Sequence, residues 1–352
     1  MRIAFYISGH GFGHASRAIE LMNAIVVRRP DARFTVRTEV PAWLFESAAA
    51  ETVARLTVQP GAVDTGVVQI GSLRTDEAAT GQRAAAFYQD IDRRAEEEAT
   101  ALGRDGAELV LGDIPPLAFL AAAKAGVPSV AIGNFTWDWI YRHYPSFDRL
   151  APGVISTIRD AYTKAGAALR LPLPGGFEAI EAITRDVPFI ARRSTRDRAD
   201  TRRLLGVPTG YRLALVSFGA YGVDLPLDEV RRANPSLTIV SVDRPPHNLK
   251  YEDIVSAADV VLSKPGFGIV SECAAHGTAL LYTDRGQFIE YEVFVAGMPR
   301  ILRCRHISQE DLRAGRWGEA IDALLDLPDP PERARVDGAE VAADEIIAFE
   351  RR

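Results

Sequence analysis

The turn Gly9-His10-Gly11-Phe12-Gly13-His14 follows an apolar run, Arg2 to Ser8, and opens a segment of helical periodicity, Ala15 to Arg28. Glycines at such a turn let the backbone bend sharply and approach a ligand closely. The helix start offers unpaired N–H groups and a positive dipole end, which suits an anion or a sugar. A dinucleotide fingerprint needs glycine where His14 stands, so nicotinamide binding is disfavoured. Histidine is the residue type that exchanges a proton near neutral pH, and His14, at a strand-to-helix turn, can take one from a hydroxyl. The alternative is a capping or hydrogen-bonded histidine without chemistry. His10 and His14 could also ligate a metal, but no third ligand is apparent and none is expected.

Asp113 closes a later apolar run, Leu109 to Leu111, followed by Gly112. In open parallel sheets the carboxyl ends of the strands face one crevice, so His14 and Asp113 are expected to meet. An aspartate on one imidazole nitrogen fixes the tautomer and stabilises the charged form. Alternatively, Asp113 caps the helix that begins near Pro115-Pro116. A second strand–turn–helix reads Val260-Val261-Leu262-Ser263-Lys264-Pro265-Gly266-Phe267-Gly268, then Ile269-Val270-Ser271-Glu272-Cys273. Gly266 and Gly268 leave the helix start open, and its amides with Lys264 would hold a diphosphate. Glu272 can accept two ribose hydroxyls, or simply complement the helix dipole. Ser217-Phe218-Gly219 ends the opposite strand and could close on the phosphates. Asp90-Ile91-Asp92 resembles a metal-binding Asp-x-Asp, but it lies in a charged helical run, Gln82 to Leu102, and reads as a solvated face. No catalytic metal is expected.

The elements that must position these residues alternate. Strands are expected at Arg33–Thr38 and Ser129–Ile132, with an Ala-rich helix at Leu117–Ala125. The pattern restarts with strands at Tyr211–Ser217, Leu237–Val242, Val260–Leu262 and Ala279–Tyr282, and a helix at Ile269–His276. Such alternation implies an α/β protein of parallel βαβ units. The expected division is 1–195, 196–337 and a C-terminal helix, 338–352, free to return to the N-terminal domain. The Arg-rich stretch Arg192 to Arg203 reads as a solvated linker and helix, and Pro328, Pro330 and Pro331 precede the last helix. With 352 residues, two domains fit comfortably. A net charge of -6 offers no basic field for nucleic acid. The two cysteines, Cys273 and Cys304, lack metal spacing and read as reduced thiols of a cytoplasmic protein. No apolar stretch is long enough to span a bilayer, which leaves only a peripheral membrane contact open.

Gly13-His14, with Leu21 in the following helix, resembles the Gly-His turn of the GT-B nucleotide-sugar glycosyltransferases. Lys264 to Glu272 is similar to their donor motif, with lysine where relatives often carry His or Arg. Gly9 to Ala15, Gly133-Asn-Phe-Thr-Trp-Asp-Trp-Ile-Tyr141 and Lys264 to Gly268 resemble more specifically the glycosyltransferase-like N-terminal region of plant L-arabinokinase and its stand-alone bacterial relatives. The resemblance implies two Rossmann-like domains facing across a cleft. The acceptor would lie against His10, Gly11, Gly13, Asn134, Trp137 and Asp138, the last three alternatively forming a packed aromatic corner. The donor, a UDP-sugar by default, would meet Ser217, Gly219, Lys264, Gly266, Gly268, Ser271, Glu272, Glu290 and Glu292. His14 would be the base and Asp113 its partner, with inversion and no cofactor. No kinase phosphate loop follows, so kinase activity is not implied. The rival expectations are a non-catalytic nucleotide-sugar or sugar-binding module, and a sugar-nucleotide epimerase or hydrolase.

Overall fold

The computed structural model describes residues 1–219, 222–241, 245, 246 and 248–351. The chain forms two compact units. One comprises Met1–Val68, Thr75–Ile190 and Asp337–Arg352; the other comprises Gln69–Arg74 and Ala191–Val336.

The first unit is built on seven parallel strands: β1 (Arg2–Ile7), β2 (Arg33–Thr38), β3 (Leu56–Pro60), β4 (Leu109–Asp113), β5 (Ser129–Phe135), β6 (Ala167–Gly175) and β7 (Thr184–Asp186). Their order is β3-β2-β1-β4-β5-β6-β7, so the direction of winding reverses between β1 and β4. Every residue of β4 and β5 is buried, as expected of strands covered on both faces. The run Gln82–Leu102 is two helices, Glu77–Gln89 and Ile91–Asp105, broken at Asp90, whose backbone is non-helical. Aspartate favours helix ends because its carboxylate competes for backbone donors. Asp90 and Asp92 are exposed and face Arg93 and Lys124, respectively. The helix Gly338–Glu350 belongs to this unit: Ala342, Ala343 and Ile346 are fully buried, and Asp344 pairs with Arg28 of the Phe12–Arg28 helix.

The second unit carries β8 (Arg212–Val216), β9 (Leu237–Ser241), β10 (Val260–Ser263), β11 (Ala279–Tyr282) and β12 (Cys304–His306), all parallel, in the order β12-β11-β10-β8-β9. Val242, expected to end β9, lies outside the described residues. Here the winding reverses between β8 and β10. The Arg192–Arg203 stretch is mostly exposed and carries the expected helix, but it is built into a unit and is not a free linker. It joins the second unit, with Asp197 capping the helix Arg198–Leu204 and Arg198 and Arg202 both on Asp259. Gln69–Arg74 also joins this unit, with Leu73 packed in its core beside Phe218 and Leu281.

Candidate functional site

In the first unit the parallel register sets Ile7 beside Asp113, so the turn after β1 and the end of β4 are neighbours. This is the switch point of the sheet, where ligands of such folds bind. His14 lies in the first turn of the Phe12–Arg28 helix, and its Nδ1 is 2.8 Å from Asp113 Oδ1. The Asp113 carboxylate also accepts two hydrogen bonds from Arg17, at 2.6 Å and 2.5 Å. Arg17 donates in addition to Asn134 Oδ1 at 2.7 Å. Burial alone would raise the Asp113 carboxyl, but the charge of Arg17 and the hydrogen bonds from Arg17 and His14 hold it below the usual carboxylate range. Asp113 therefore sits as a buried anion. Both close polar contacts of the His14 ring among the described residues, to Asp113 and to Arg17, are at Nδ1; with Nδ1 donating to the Asp113 anion, the Arg17 contact is a close approach of two donors and not a second hydrogen bond.

The other acceptor-side residues divide. Gly11, at φ 79°, and Gly13 are partly exposed at the turn, and nothing lies within 4 Å of a Cβ built on Gly11. His10 is partly exposed, but its Nδ1 accepts the Val67 N–H at 3.3 Å. Asn134, Trp137 and Asp138 form the packed aromatic corner, which corrects the expectation that they meet a sugar. Trp137 has no exposed surface, donates its indole N–H to Asp64 at 2.9 Å, and packs on Phe135 and Tyr141. Asn134 is spent on Arg17, and Asp138 is buried near Arg159. The reason is β5, which continues as a fully buried strand to Phe135 instead of ending at Ile132 as expected. Asp64 is a buried carboxyl that burial pushes up to about 6, against the hydrogen bonds of Ser8 and Trp137.

In the second unit the ends of β8 and β10 are likewise adjacent. The Ser217 N–H donates to Leu262 O, and Ser263 Oγ donates to Ser217 O at 2.5 Å. Gly219 stands in the left-handed region at φ 75° with open space where a Cβ would point. Gly266 precedes the Phe267–His276 helix, also with nothing within 4 Å of a built Cβ, and no side chain caps that helix. Gly268 lies in its first turn. Lys264 is half-buried, and its ammonium donates to Ser72 O at 2.9 Å. Burial and then the charge of Arg285 push Lys264 down to about 7, with Glu290 opposing.

Three expected donor contacts are otherwise engaged. Ser271 is fully buried and donates to Gly268 O, which corrects its assignment to a ligand. Glu272 is buried in an ion pair with Arg192 at 2.6 Å, and Arg192 lies over the Tyr251 ring. Burial raises the Glu272 carboxyl, and the Arg192 charge opposes that rise. Glu290 is buried against Arg285 at 2.7 Å, whereas Glu292 is exposed. Among the described residues, no group of three or more His, Cys, Asp or Glu could hold a metal ion, and no helix is long and apolar enough to cross a membrane.

No protein-family model matches the chain. Over 97% of its length it is 29% identical to L-arabinokinase of Arabidopsis thaliana, and it spans 33% of that protein. The solved glycotransferase of kitacinnamycin superposes with a TM-score of 0.64 at 21% identity, covering 99% of this chain and 98% of that one. CalG4, the calicheamicin glycosyltransferase, gives 0.60 at 18% identity over 100% and 99% of the two chains. Arabidopsis thaliana UGT89C1, complexed with UDP-L-rhamnose, gives 0.60 at 14% identity over 99% and 98%. The fold is GT-B. Within this GT-B fold the sequence reading passes over three arginines, Arg17, Arg192 and Arg285, that engage the carboxylates it singles out. Arg17 was findable, since a residue three after His14 shares its helix face. Arg285 lies five before Glu290 across a turn, and Arg192 eighty residues before Glu272, so neither pairing has a local signal.

Proposed function

We propose that the chain transfers a sugar from a nucleotide-diphosphate donor, a UDP-sugar by default, to an acceptor hydroxyl. The observation that carries this reading is His14 Nδ1 held on the buried Asp113 anion. That contact holds the proton on Nδ1 and leaves Nε2 as the base. The GT-B fold supports the reading, because the solved proteins that share it are glycosyltransferases. His14 Nε2 takes the acceptor proton as the oxygen attacks the anomeric carbon, and a single displacement of this kind inverts the centre. The open helix start after Gly266 and the Lys264 ammonium stabilise the departing diphosphate, where negative charge develops. These protein groups offset the diphosphate charge without a metal.

Nucleotide-diphosphate binding is the direct test of the donor half. A charge-assisted contact contributes about 1.5–3 kcal/mol, so Lys264→Ala weakens UDP binding by roughly 10- to 150-fold in calorimetric titrations. The pH dependence has a definite sign. Lys264 is charged below about 7 and neutral above it. A diphosphate needs the charged form, so affinity is full below that value and falls as pH rises through it, with proton uptake on binding. Lys264→Ala removes this dependence. Equal affinity of wild type and variant would move the donor pocket elsewhere.

Because the buried Arg192–Glu272 pair occupies the carboxylate expected to meet the donor's ribose, a second reading is a sugar-binding module without turnover. Product release over an acceptor panel separates the two. Free sugar or an epimerised donor formed without acceptor would instead indicate the hydrolase or epimerase.

A further inference from the structure

The Asp113 carboxylate serves two partners through one oxygen. Oδ1 receives His14 Nδ1 at 2.8 Å and Arg17 Nη2 at 2.5 Å. Arg17 Nη2 and His14 Nδ1 are themselves 2.9 Å apart. Arg17 is 5% exposed, and its guanidinium is charged at every accessible pH. A permanent cation therefore stands directly beside the imidazole that would acquire charge.

The groups around the ring set the balance. Asp113 faces it from β4, Arg17 from its own helix, and the aromatic edge of Phe135 from β5. The Asp64 charge couples to His14 from the loop after β3, and Glu39 adds to the field at Asp64. The carboxylates favour an imidazolium; Arg17 is the cation that opposes it. A base works best when its pKa lies near the operating pH. Nearby carboxylates favour the charged ring, and a charged imidazole takes no proton.

We propose that Arg17 is a positioning residue that keeps His14 a neutral, Nδ1-protonated base by sharing the Asp113 carboxylate with it. This rests on the base role assigned to His14 above. Arg17 fixes the carboxylate with its two-pronged contact and is itself held by Asn134. It also lowers the proton affinity of the ring through like-charge repulsion.

The test is ¹H–¹⁵N NMR of the imidazoles in the full chain, which has six histidines, with His14 assigned by its loss in His14→Gln. Wild type is expected to show the Nδ1–H tautomer. Arg17→Gln raises the His14 titration by about one pH unit or more, the usual size for one close charge. Arg17→Lys keeps the charge without the fork and gives a smaller rise; it also carries the test if Arg17→Gln does not fold. In Arg17→Gln the acid limb of kcat/KM moves up with the NMR value. An unchanged or lowered titration in both variants, or a wild-type proton on Nε2, overturns the proposal. The NMR arm needs no turnover. A shift without sugar transfer would count against the transferase reading alone, and transfer without a shift against this role alone.

Discussion

His14→Ala lowers sugar transfer by roughly 10²–10⁴-fold, the usual contribution of a positioned general base. The loss falls on kcat, because the donor-binding residues proposed here, Lys264 and Gly266, belong to the other unit. UDP binding should be unchanged, so one calorimetric titration separates lost chemistry from lost fold. Turnover equal to wild type would remove the base assignment. His14 is a better target than its partner. Asp113 also neutralises Arg17, and removing it strands a buried guanidinium. Breaking a buried pair in that way costs about 3–5 kcal/mol. An inactive Asp113→Ala would therefore report instability as much as catalysis.

Trp137→Ala destabilises the protein by about 3–5 kcal/mol, the range for deleting a large buried aromatic side chain. Its indole has no exposed surface and stands between His10, Phe135 and Tyr141. It also supplies a donor to Asp64, whose carboxyl already lies near 6. Without that donor the Asp64 carboxyl moves further up. Trp137→Phe keeps most of the ring packing but not the N–H, and loses about 1–3 kcal/mol, the cost of a stranded buried acceptor. Urea unfolding midpoints at neutral pH measure both. A loss below about 1 kcal/mol for Trp137→Ala would mean that the corner is an open binding face and not core.

The α/β architecture is legible because buried parallel strands are short unbroken apolar runs between turns. β11, Ala-Leu-Leu-Tyr, falls where that pattern puts it, whereas β2, Arg-Phe-Thr-Val-Arg-Thr, is found by its alternation. The meeting of His14 with Asp113 is legible for a topological reason: both follow strands at one sheet end, and β1 and β4 are neighbours. β6 is hidden by Pro172 and Pro174, which argue against a strand. Its pairing with β7 stops at Arg170, so neither proline owes that ladder a donor. The aromatic corner is ambiguous in sequence because stacking residues and core residues are the same types. Only burial decides, and it turns Asn134, Trp137 and Asp138 inward. The ion pairs of Glu272 and Glu290 join residues whose meeting depends on tertiary packing, which spacing alone does not encode.

The last helix completes the first unit. Its Ala342, Ala343 and Ile346 are buried there, and Asp344 reaches Arg28. A ribosome therefore finishes the second unit before it supplies the piece that seals the first. The nascent amino-terminal half must wait with an apolar flank bare until the whole second unit has been made.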